Sequence, residues 1–195
     1  MGFSQEDESE KPEAAWENPV LVIVRGIKYN ESYKMLTGGI CMGSYLNPGN
    51  FSFCGSLRSK IYVDKSELIA KTNEVLCTEQ RYICVSRPRR FGKSMAANML
   101  AAYYDRSENT EELFQNLAIR EDKSYKENLN QYDVIKINMQ EFLSMSGTME
   151  EMLEMLKNYL AADFEETYPE VRFRDEKNLI QVMKDVFSYT RCPFV

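Results

Sequence analysis

Gly92, Lys93 and Ser94 stand together near the middle of the chain, and their types suit an anion site. A lysine ammonium at this position reaches the β- and γ-phosphates of a nucleotide, and the serine hydroxyl ligates Mg2+. The glycine lets the backbone approach a phosphate with no Cβ in the way. Upstream lie a short apolar run, Tyr82 to Val85, and a basic turn, Arg87-Pro88-Arg89-Arg90-Phe91. Downstream comes a helical run beginning at Met95 and ending near Tyr104. Strand, loop, Gly-Lys-Ser and helix in that order are the context in which a P-loop works. The strand aims the loop, and the first-turn amides of the helix offer unpaired N–H groups to the anion. The candidate phosphate site therefore runs through Arg87, Pro88, Arg89, Arg90, Phe91, Gly92, Lys93, Ser94 and Met95.

Two residues depart from the usual motif. Five positions before Gly92, where a first glycine is expected, stands Arg87, and Pro88 fixes φ and removes one donor N–H from the loop. The competing reading is a basic turn that feeds a helix and binds nothing. For Arg89 and Arg90 two roles stay open, a supplementary phosphate contact or pairing with acidic surface residues.

The remaining elements must position this turn. Residues 1–18 are acidic and polar and read as a disordered tail, with Trp16 as a possible local anchor. Residues 19–60 read as an extension with loops. Pro19 to Val24 is a possible edge strand, and Gly38, Gly39 and Gly43 are spaced wrongly for a dinucleotide fingerprint. Asn47-Pro48-Gly49-Asn50 is a turn by composition. Residues 61–195 form the main domain. A helix begins at Asp64, capping-box fashion with Glu67, and carries Leu68, Ile69, Asn73 and Leu76. A short helix opens at Asn109-Thr110-Glu111-Glu112, with Leu113, Phe114, Leu117 and Ile119 as its apolar residues. Tyr132 to Ile137 reads as a second strand. Thr148 starts a longer helix whose core stripe is Met149, Met152, Leu153, Leu156, Tyr159, Leu160 and Phe164. Glu150, Glu151, Glu154, Glu165 and Glu166 form its solvated face. A last helix spans roughly residues 176–189, with Leu179, Met183, Val186 and Phe187 on one side. Cys192-Pro-Phe-Val195 looks like the start of another strand. Strands alternating with helices make the expected class α/β.

Tyr62-Val-Asp-Lys-Ser-Glu-Leu-Ile69, followed by Arg87-Pro-Arg-Arg-Phe-Gly-Lys-Ser94, resembles the bacterial AAA-ATPase-like family. The resemblance runs from about Gly39 to the last residue, and Met42 to Asn50 is similar to versions from anaerobic gut bacteria. In that family the loop without a first glycine is usual, so the resemblance implies ATP as ligand and Mg2+ as its ion. It also implies a P-loop NTPase-like parallel sheet of the additional-strand type, flanked by helices, of which this chain holds the N-terminal part. Tyr62 would then lie near the base, or simply in the core. In the family the strand opening at Cys192 leads to the Walker B acidic pair, which these residues do not include. The expectation is a truncated module that binds nucleotide, does not hydrolyse it, and is marginally stable unless it self-associates or is joined by the missing half. Family members often carry a restriction-nuclease-like domain, so a nucleic-acid role would be indirect. A non-catalytic interaction or scaffold fragment with a degenerate P-loop is the alternative, and a small-molecule kinase is a third.

Composition narrows the classes. A formal charge of −6 argues against sequence-independent nucleic-acid binding by the whole chain, and the absence of histidine removes imidazole acid–base catalysis and His-containing zinc sites. Five scattered cysteines without a Cys-x-x-Cys read as reduced thiols. With no apolar run of membrane-spanning length and an acidic N-terminus, the expected address is the cytoplasm, with no membrane partner. Met1-Gly2 lacks the Ser or Thr at position six that myristoylation needs, since that residue is Glu6.

Overall fold

The structure is a computed structural model, and it describes residues 45–195. The acidic tail, Trp16, the 19–24 run and the glycines at 38, 39 and 43 lie outside the described residues.

Among the described residues seven α-helices follow in order: α1 (Phe51–Leu57), α2 (Glu67–Asn73), α3 (Lys93–Tyr104), α4 (Tyr125–Asn128), α5 (Met139–Met145), α6 (Met149–Thr167) and α7 (Leu179–Thr190). Two 3-10 turns, Glu111–Phe114 and Ala118–Glu121, lie between α3 and α4. Among the described residues there is no β-strand, which corrects the expected α/β parallel sheet. Sheet pairing is limited to three isolated bridges, Leu46 with Ile135, Asp105 with Tyr132 and Asp133 with Phe194. The reason lies in the partners. Residues 133–136 do bond on both edges, for Ile135 N–H donates to Val195 O at 2.9 Å and Lys136 N–H to Tyr45 O at 2.8 Å. Each neighbour, however, stays alongside for only two or three residues, too few for a ladder. The run Tyr82 to Val85 makes no backbone–backbone hydrogen bond at all among the described residues, and Tyr82 is 76% exposed. Apolar alternation without a partner leaves an extended segment, not a strand.

Among the described residues only α6 and α7 begin with a side-chain cap. Thr148 caps α6 as expected, its Oγ1 accepting from Glu151 N–H at 3.2 Å, while the Glu151 carboxylate accepts from Gly147 N–H at 2.9 Å. Only part of the predicted stripe is buried: Met152, Leu160 and Phe164 face inward, whereas Met149, Leu153 and Tyr159 are exposed. The acidic face is exposed as read. At α2 the start differs from expectation. The helix begins at Glu67, and Asp64 sits outside it, its Oδ1 accepting from Ser66 N–H and its Oδ2 from Ala118 N–H, both at 2.8 Å.

The largest core surrounds the C-terminal half of α3, where Ala101, Ala102, Tyr103 and Tyr104 are all buried. Phe53 stacks on Phe114 with centroids 5.2 Å apart, and Tyr103 meets Phe114 edge-on at 5.5 Å. The buried phenols find partners: Tyr103 O–H donates to Tyr125 O at 2.7 Å, and Tyr104 O–H to Asn73 Oδ1 at 2.7 Å. The last carbonyls of α3, which have no intrahelical donor, are taken by Thr110 Oγ1 at Ala102, Asn130 N–H at Tyr103 and Tyr132 N–H at Tyr104. A second core joins Leu46, Phe164, Tyr168, Val182 and Val186, and a third joins Tyr45, Phe142, Met152 and Leu160.

Between α6 and α7 the loop is pinned by Asp185. Its carboxylate accepts from the Arg174 guanidinium, from Arg174 N–H at 2.9 Å and from Gln181 Nε2 at 2.8 Å. These donors, the guanidinium first, pull the carboxyl from its ordinary 3.8 to about 2. A carboxyl whose folded pKa is depressed stabilises the fold above its unfolded pKa and loses that contribution as pH falls through the folded value. The urea midpoint should therefore fall as pH drops from about 4 toward about 2, and Asp185→Asn should flatten that part of the profile while lowering the midpoint at neutral pH.

Candidate phosphate-binding loop

Nothing in the backbone holds the turn from Tyr82 to Phe91 among the described residues, and side chains take over. Lys93 Nζ donates to Arg87 O at 2.5 Å and to Pro88 O at 3.1 Å, folding the lysine back over the basic turn. From a separate segment, Lys65 Nζ donates to Phe91 O at 2.5 Å. Two residues take the left-handed conformation, Arg90 at φ 69° and Gly92 at φ 74°. For Gly92 the missing side chain matters twice. A Cβ there would be strained by the backbone angle and would lie 2.9 Å from Lys65 Nζ.

Gly92 is the N-cap of α3, and its carbonyl accepts the first intrahelical bond, from Ala96 N–H at 3.0 Å. The amides of Lys93, Ser94 and Met95 consequently have no acceptor among the described residues. Three N–H groups thus stand free at the positive end of a twelve-residue helix dipole. The Ser94 hydroxyl likewise makes no hydrogen bond among the described residues. Arg87, Arg89 and Arg90 are exposed and form no ion pair there, so the surface-pairing role considered for Arg89 and Arg90 is not what the described residues show.

Two cavities flank the loop. One, of about 380 Å³, lies between Ile83 and Val85 on one wall and Val134 and Val195 on the other, with Lys93 and Lys136 at its edge. The Lys136 ammonium donates to Asn98 Oδ1 on α3 at 2.5 Å, and burial pushes its pKa down. The other cavity, of about 320 Å³, opens between Ile61, Val63 and Lys65 on one side and Arg90, Phe91 and Met95 on the other. Tyr62 borders it while packing edge-on against Phe53 at 6.3 Å, so its ring belongs in part to the core.

All nine sequence-predicted residues come together here as one continuous turn and helix start. Spacing alone did not point to Lys65 or to Asp133. For Lys65 there was no local signal, because its contact with Phe91 O spans twenty-six positions. For Asp133 the signal was a lone carboxylate inside the apolar run Tyr132 to Ile137, which demands buried partners.

Against this geometry stands one comparison with known proteins. The family described as AAA-ATPase-like, "Predicted AAA-ATPase", matches residues 56–195, and the chain belongs to that family. No curated protein and no solved structure matches it. Among the described residues no helix is long and apolar enough to cross a membrane, and no group of three or more Cys, Asp or Glu is placed to hold a metal ion.

Gly92→Ala should lower the unfolding free energy by about 1–2 kcal/mol, because an alanine must be held at positive φ. Gly55→Ala is the internal control. That glycine sits inside α1 with nothing within 4 Å of a new Cβ, so alanine should stabilise by roughly 0.5–1 kcal/mol. Urea unfolding of both variants reads the two signs directly.

Proposed function

We propose that residues 87–95 bind the phosphates of ATP, with Mg2+, as the nucleotide site of this AAA-ATPase-like chain. The observation that carries the reading is the start of α3: three unpaired amides, a glycine N-cap without a Cβ, and a lysine and a serine on the first turn. An anion of phosphate size is the ligand that such a set of donors satisfies. Family membership supports the same class of ligand.

The residues divide the work. Amides of Lys93, Ser94 and Met95 donate to phosphate oxygens, and Gly92 admits them to close range. Lys93 leaves the Arg87 and Pro88 carbonyls and turns its ammonium to the phosphates, exchanging two neutral acceptors for charged ones, which make stronger hydrogen bonds. Arg87, Arg89 and Arg90 raise the local positive potential of an otherwise acidic chain and draw the nucleotide in. Ser94 is the one hydroxyl of this turn suited to Mg2+, which when bound neutralises charge on the β- and γ-phosphates.

A Mg-ATP titration followed by thermal unfolding tests this. At about one hundred times its dissociation constant the nucleotide should add about 2.7 kcal/mol, or roughly 5–10 °C in Tm for a chain of this size. Lys93→Ala should abolish most of the shift while leaving Tm without nucleotide nearly unchanged, since the side chain contacts only exposed loop carbonyls. No shift in a chain that melts cooperatively would overturn the reading in favour of a protein-interaction role.

A further inference from the structure

Lys65 reaches the loop from twenty-six positions upstream of Phe91, and its own segment is fixed from behind. Tyr62 packs on Phe53, the Asp64 carboxylate accepts from Ala118 N–H, and Ser66 Oγ accepts from Ile119 N–H at 3.0 Å. Ser66 itself is completely buried. Tyr62, Asp64 and Ser66 thus tie this stretch to the body of the protein, while the Lys65 side chain reaches over to the turn. A long exposed ammonium gains side-chain entropy by staying in solvent. This one is instead ordered on a single backbone carbonyl and has no carboxylate partner among the described residues.

We propose that Lys65 is a positioning residue of the phosphate cradle. By anchoring the Phe91 carbonyl it fixes the left-handed Gly92, and so sets the direction in which the Lys93, Ser94 and Met95 amides point. It also offsets the negative end of a carbonyl dipole that lies beside the place where phosphate charge arrives. Lys93 and Lys65 hold the two ends of one unbonded turn, Lys93 at Arg87 and Pro88 and Lys65 at Phe91. Of the two, Lys65 keeps its hold when Lys93 turns to the ligand. The inference rests on the phosphate-site reading given above.

The test uses the full chain with Lys65→Ala, Lys65→Gln, Lys65→Arg, Lys93→Ala and the nearby surface control Lys60→Ala. Without nucleotide, tryptic cleavage after Arg89 and Arg90 should accelerate several-fold in Lys65→Ala. It should stay slow in Lys60→Ala and in Lys65→Gln, whose amide still donates to the carbonyl. The dissociation constant for a fluorescent ATP analogue with Mg2+ should rise about tenfold in Lys65→Ala and return most of the way in Lys65→Arg, with the urea midpoint unchanged throughout. Cleavage and affinity both at the parent's values, with Lys93→Ala still losing ATP, would overturn the role of Lys65 and leave the phosphate site standing. Faster cleavage with unchanged affinity overturns it too, because the lysine would then order the turn without serving the phosphates. A parent chain that binds no ATP overturns the phosphate site and this inference together.

Discussion

Asp133 Oδ1 accepts from three side chains at once: Asn47 Nδ2 at 2.9 Å, Arg106 Nε at 2.9 Å and Tyr168 O–H at 2.5 Å. Each donor comes from a different stretch, the segment before α1, the exit of α3 and the exit of α6. The backbone of the same residue pairs with 193–195 on its other side, through Asp133 N–H to Pro193 O and Val195 N–H to Asp133 O. A buried carboxylate is tolerated only when its charge is met, and this one is met at Oδ1 by donors from three other parts of the chain, while its buried Oδ2 has no partner among the described residues. The Arg106 guanidinium also donates to Tyr168 O–H at 2.9 Å, so the donors brace one another. With so little sheet to register the segments, this polar junction sets where α3 leaves the core relative to residues 132–136.

The proposed phosphate loop depends on that junction from a distance. The four residues ending α3 are wholly buried, its final carbonyls are satisfied by residues 110 and 130–132, and Asp105, just beyond, accepts from Gly49 N–H at 2.8 Å and Ser107 N–H at 2.8 Å. Burial raises the Asp105 pKa against those two donors, a sign of how far from water the helix exit lies. At the other end only Ala96 and Met99 are buried, and the amides of residues 93–95 have no acceptor among the described residues. One helix thus has a satisfied end and an unsatisfied end. The unsatisfied end is where the proposed phosphate site lies.

The loop and helix could be read from the chain because local signals suffice there. Gly92-Lys93-Ser94 before a helical run fixes a helix start, Thr148 fixes another, and burial at Met152, Leu160 and Phe164 follows a 3.6-residue period. The strands at 82–85 and 132–137 could not be settled that way. β-branched alternation tells which faces can be buried and says nothing about whether a neighbour runs alongside long enough to form a ladder. Asp64 shows the same limit at smaller scale: its spacing to Glu67 suits a cap, but the carboxylate spends its second oxygen on Ala118, fifty-four positions away. Lys65 meets the loop only through a contact twenty-six positions away, which no local pattern carries.

Because α3 is held at one end and bare at the other, it behaves as a cantilever. Its twelve residues span about 18 Å, so a tilt of about 10° at the clamped end would swing the N-terminal tip by about 3 Å, the length of a hydrogen bond. Angular stiffness around Tyr103, Tyr104 and Asp133 therefore sets the aim of amides a helix length away.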